Sequence, residues 1–141
     1  MPLAGYTSLC EKNARRIISR DRRNPQTHIA NNVNSCFVTH YRIDGEVIIA
    51  GSRCDYLLIN EDKRTVYFIE LKGSDICKAA EQIATTERVL ADQLNSYPVH
   101  KYRIIANRVN THAIQSSEYR KYQRQWGNRL QQKVKLLEED I

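Results

Sequence analysis

Asp55, Glu70 and Lys72 are the residues whose types and spacing could do chemistry. They sit on two apolar runs, Cys54 to Ile59 and Thr65 to Gly73, separated by the polar break Asn60-Glu61-Asp62-Lys63-Arg64. Such a pattern reads as an antiparallel strand pair. If Asn60 faces Thr65, then Ile59 faces Val66, Leu57 faces Phe68 and Asp55 faces Glu70. Lys72 falls on the same face as Glu70, about 6.6 Å further along the strand. Like charges directly opposed in a sheet repel, and a divalent cation between the two carboxylates would remove that repulsion. A lysine at its rim could then hold a water or steady a developing negative charge. The alternative is a surface ion cluster closing the hairpin, which explains the lysine but leaves two carboxylates for one partner.

Asp at the start of one core strand and Glu-x-Lys at the end of the next resembles the PD-(D/E)xK nuclease superfamily, which includes restriction endonucleases, Holliday junction resolvases and recombination exonucleases. The residues are Asp55 and Glu70-Leu71-Lys72, with Cys54 in place of the family's proline, and the resemblance spans about Glu11 to Val109. It implies an α/β fold with a restriction endonuclease-like core, a mixed central sheet flanked by helices in the order α-β-β-β-α-β-α. It also implies a metal held by Asp55, Glu70 and the main-chain carbonyl of Leu71. Magnesium suits such oxygen ligands, with manganese as a substitute. Many members carry a further glutamate on the first helix, here Glu11; otherwise Glu11 is a helical residue paired with Arg15. Some branches use a glutamine on the helix after Glu-x-Lys, here Gln82, often with a tyrosine four residues later where this chain has Thr86. A plain helical polar role is the alternative.

The expected function is thus a Mg-dependent endodeoxyribonuclease, at its narrowest a structure-selective enzyme of the Holliday-junction-resolvase type. Alternatives are a nuclease effector of a defence or mobile-element system, delivered by a protein partner, and a non-catalytic nucleic-acid-binding module of the same fold. RNA remains an open substrate.

A chain of 141 residues fits one domain, 1–141. Its net charge of +6 favours an anionic partner, nucleic acid before a membrane surface. Candidate phosphate contacts are Arg15, Arg16, Arg20, Arg22 and Arg23, with Arg53 and Lys78 flanking the site, although basic runs are often only solvated faces. No run is apolar enough to cross a membrane and no signal peptide opens the chain, so a cytoplasmic location is expected. Cys10, Cys36, Cys54 and Cys77 form no C-x-x-C pair and read as thiols.

The elements that must position these residues read as follows. A helix is expected over about 8–20, an irregular connection over 21–34, and a strand over 36–43 closed by the Asp44-Gly45 turn, with Val47 to Ala50 continuing or starting a strand. The strands at 55–59 and 65–71 are apolar on both faces, as central strands covered on both sides are. A helix opens at Gly73-Ser74-Asp75 and runs to Tyr97. A strand follows over 100–109, parallel to its neighbour because the crossover is right-handed. Ser117 to Trp126 reads as a short helix with Tyr119, Tyr122 and Trp126 on one stripe, for core packing or base stacking. The segment after it could be strand or helix. Apolar residues near the end (Leu130, Leu136, Leu137 and that stripe) prompt the expectation of a homodimer.

Overall fold

The computed structural model describes residues 3, 5–21, 24–43, 54–108 and 111–141. The Asp44-Gly45 turn, Val47 to Ala50, Arg22, Arg23 and Arg53 lie outside the described residues.

Among the described residues five strands form the central sheet: β3 (Val38–Arg42), β4 (Tyr56–Asn60), β5 (Thr65–Lys72), β6 (Val99–Ala106) and β7 (Leu130–Val134), in that order across it. Strands β3, β4 and β5 pair antiparallel, whereas β5–β6 and β6–β7 are parallel. The β4–β5 turn is held by the Asn60 carboxamide, which accepts the Lys63 N–H at 3.0 Å. The crossover from β5 to β6 is helix α1 (Ile76–Val89), capped by Asp75, whose side chain accepts the Lys78 N–H. It ends at Val89, short of the expected Tyr97, but Leu90, Leu94 and Tyr97 remain buried. Helix α2 (Thr111–Gln115) leads to α3 (Ser117–Trp126), capped by Ser116 and stopped at Gly127, whose φ of 56° suits a residue without Cβ.

Two corrections concern the start of the chain. The expected helix at 8–20 is absent, so the leading α of the expected order does not occur. Instead β1 (Arg16–Arg20) pairs antiparallel with β2 (Thr27–Asn31), inside the stretch read as irregular. The last strand, β8 (Leu136–Asp140), joins β2 in parallel and completes a second, three-stranded sheet. Along β1 the inward positions are Ile17 and Ser19, while Arg16, Ile18 and Arg20 are exposed.

Both faces of the central sheet are covered, as expected of β4 and β5. Leu57, Ile59, Phe68, Tyr102 and Ile104 pack under α1 and α3, where Trp126 stacks on Tyr102 with ring centres 4.2 Å apart. Leu58, Tyr67, Ile69 and Ile105 pack against Ile17, Ala30 and Leu137 of the small sheet. The stripe of α3 is core: Tyr119 and Trp126 are buried. The apolar surplus that prompts a homodimer is therefore largely packed inside the chain, with Leu136 the main exception at 50% exposed.

His40 lies between the two sheets, 4% exposed, with Nε2 2.9 Å from Ser19 Oγ and its ring stacked on Tyr56. Burial, and then the neighbouring His28, lower its pKa from 6.5 to about 4. The unfolded chain therefore takes up this proton first. The stability present above pH 6.5 is lost as the pH falls toward 4, roughly 3 kcal/mol in all. Urea midpoints measured across that window should fall for the native chain and flatten in His40→Gln. An equally steep fall in the variant would refute the assignment.

Candidate functional site

The β4–β5 register is the one the hairpin pattern implies, with Asn60 opposite Thr65, Ile59 opposite Val66 and Leu57 opposite Phe68. The ladder ends at Tyr56 opposite Ile69. Beyond it, Asp55 replaces a ladder partner with its own groups. Its N–H donates to the Ile69 carbonyl at 3.1 Å, and its Oδ2 accepts the Leu71 N–H at 2.9 Å. Asp55 thus grips β5 on both sides of Glu70. The Leu71 carbonyl leaves the strand on the same edge as its N–H, toward Asp55.

Glu70 is 2% exposed and, by strand alternation with Val66 and Phe68, lies on the α1 side. Burial, followed by the charge of Glu70, pushes the Cys54 thiol up, so Cys54 is a neutral group beside that carboxylate. The Cys54 N–H donates to Thr86 Oγ1, which in turn donates to the Gln82 carbonyl, both at 2.8 Å. Thr86 thereby ties α1 to the start of β4. Gln82 Oε1 is buried and has no hydrogen-bond partner among the described residues.

Lys72 is half-buried at the end of β5. Its carbonyl accepts the Asn107 N–H at 3.1 Å and Gln26 Nε2 at 3.2 Å. Gln26 is 2% exposed, and its Oε1 also lacks a partner among the described residues. Sequence reading misses this residue, because the β1–β2 pairing that delivers it is not visible locally.

Cations surround this end of the sheet. The Tyr56 hydroxyl donates to the Arg20 carbonyl at 2.9 Å, which brings in the end of β1. Arg42 is opposite Tyr56, Lys78 is in the first turn of α1, and the Arg108 N–H reaches the Gly73 carbonyl; all four side chains are exposed. Arg42 and Arg108 are further members that the basic-run pattern overlooks.

Two expected contributors lie elsewhere. Glu11 is exposed in a turn rather than on a helix, and the adjacent Lys12 carbonyl accepts the Val38 N–H. Val38 is opposite Asn60, at the far end of β4 from Asp55, about 16 Å away. Arg15 and Arg16 are at the far end of β1 from Arg20. There the outer face of the small sheet aligns Arg16 with Asn31 and Asp140, and Ile18 with Ile29 and Glu138, so carboxylates share the arginine face.

Among the described residues no group of three His, Cys, Asp or Glu side chains is placed to hold a metal ion. No described helix is long and apolar enough to cross a membrane. Comparison with family models, with curated proteins and with solved structures finds no match.

Proposed function

We propose that this chain is a metal-dependent nuclease that hydrolyses phosphodiester bonds of DNA, as its resemblance to the PD-(D/E)xK superfamily implies. One observation carries the reading: Asp55 closes its N–H and carboxylate around the buried Glu70, with Lys72 at the rim of the same strand.

The donor chemistry fits a hard cation. Asp55, Glu70 and the Leu71 carbonyl are all oxygen ligands, too few to enclose an ion, which suits magnesium because it keeps several waters. When bound, the ion would supply positive charge beside the phosphodiester. Lys72 places an ammonium where charge develops on the phosphate oxygens, and half-burial strengthens its field. Arg20, Arg42, Lys78 and Arg108 attract the polyanion to this end of the sheet. Gln82 offers a buried carboxamide oxygen from α1 to accept a hydrogen bond from a water.

The test uses labelled plasmid, linear duplex, four-way junction and RNA, each with Mg2+, Mn2+ or EDTA. Cleavage with either metal and none in EDTA is expected. A preference for the junction would support the resolvase type. Binding without cleavage under every condition would overturn catalysis and leave a nucleic-acid-binding module.

A further inference from the structure

One stretch of the chain carries a net positive charge as large as that of the whole. Between Tyr119 and Leu137 lie six of its 22 Lys and Arg and none of its 16 Asp and Glu. This stretch alone equals the net charge of +6, and in the remainder the two signs cancel.

Folding gathers that charge onto one border of the molecule. Tyr119 and Trp126 turn inward from α3, which leaves Arg120, Lys121 and Arg124 exposed on its other side. The Tyr119 hydroxyl donates to Gln132 of β7, so α3 lies above the border strand of the central sheet. Lys133 and Lys135 are exposed along that strand and just past it, Lys133 on the face of the sheet away from α3. No described strand pairs with the outer side of β7. Among the described residues none of these five cations is in an ion pair. Arg120 and Arg124 are also four apart on a helix, an arrangement that costs stability between like charges. A bound polyanion would relieve it.

The border adjoins the candidate site. Lys72, Ala106 and Val134 are level across β5, β6 and β7, so the edge strand is two strand spacings, about 10 Å, from Lys72. The start of α3 is at the same end, where Ser116 Oγ is 3.2 Å from Cys77 Sγ of α1. About three nucleotides of a strand cover that distance at roughly 3.4 Å each.

We infer that the α3–β7 border is a second contact for nucleic acid, holding backbone phosphates of the segment that flanks the bond at Glu70 and Lys72. This rests on the nuclease reading and adds where the substrate runs. The opposite arginine strip on β1 shares its face with Glu138 and Asp140 and is the weaker attractor.

The experiment is binding without chemistry: anisotropy of a fluorescent duplex in EDTA across a salt series, with cleavage assayed separately. Replacing Arg120, Lys121 and Arg124 by glutamine should weaken binding roughly tenfold or more and flatten the salt slope by about two to three, because each lost phosphate contact removes about 0.9. Arg120→Lys with Arg124→Lys should keep both, showing that charge rather than helix packing is read. An unchanged slope in the glutamine variant, no binding by the native chain, or the same loss arising only from Arg15→Gln with Arg16→Gln would overturn the inference. Failure of the nuclease reading looks different: the border variant would still lose binding, while the native chain cleaved nothing with any metal.

Discussion

Lys72→Ala is expected to lower the cleavage rate by about 10²–10³, the scale of removing one pre-placed charge stabiliser, and to leave the fold intact. The contacts that anchor residue 72 are to its main-chain carbonyl, from Asn107 and Gln26, and alanine retains them. The side chain is half-buried at the rim, so its removal opens no closed cavity. The urea midpoint should stay close to the native one while the single-turnover rate collapses. Glu70→Gln should also abolish cleavage, but by weakening metal affinity, which calorimetric Mn2+ titration separates from the lysine effect. Native-rate cleavage by Lys72→Ala would remove this residue from the mechanism.

The largest expected loss of stability comes from Arg103→Met. Arg103 is 2% exposed on β6 and holds Glu139 of β8 with two bonds, Nε to Oε2 at 2.7 Å and Nη2 to Oε1 at 3.0 Å. His28 of β2 reaches the same Oε2 at 2.7 Å. Burial pushes the Glu139 carboxyl up, but bonds from His28 and Arg103 outweigh it and bring the pKa to about 2. Removing the arginine strands a largely buried charge, which costs about 3–5 kcal/mol. Methionine keeps much of the volume, so the cost is electrostatic. The double variant Arg103→Met with Glu139→Leu should recover part of it, because it removes the stranded carboxylate but leaves the buried His28 Nε2 without its partner. Urea unfolding of the three variants decides this, and an undiminished loss in the double variant would refute it.

What was legible in the sequence was local. The β4–β5 register followed from two apolar runs and the polar break between them, but the ladder stops at Tyr56 and Ile69, and Asp55, expected to face Glu70, instead accepts the Leu71 N–H. The strand parallel to β5 followed from the handedness of a helical crossover. The start of the chain failed for the opposite reason. Leu9, Ala14, Ile17 and Ile18 recur near helical spacing, yet Arg16–Arg20 also alternates, and its partners decide between the two. β1 is a strand because β2 pairs with it, and β2 is fixed in turn by β8, more than a hundred residues away. Pro25 made β2 look irregular, although it merely precedes the strand, where a missing N–H breaks no ladder bond. Gln26 and its contact with Lys72 were hidden by the same misreading. The C-terminal segment was ambiguous because Leu130, Val134 and Leu137 fit helical spacing, while the left-handed Lys135 (φ 68°) breaks it into two strands on different sheets.

Glu70 lies on the third of the five described strands, which has a paired neighbour on each side and a packed layer on each face. Amide protons of such a strand exchange with solvent only through global unfolding, whereas edges and loops open separately at much lower cost. The carboxylate is therefore expected in the slowest-exchanging unit of the molecule, and the cations that would draw a substrate toward it sit on rims expected to open first. Mild heating or denaturant should thus loosen capture of a polyanion well before it disturbs the geometry around Glu70.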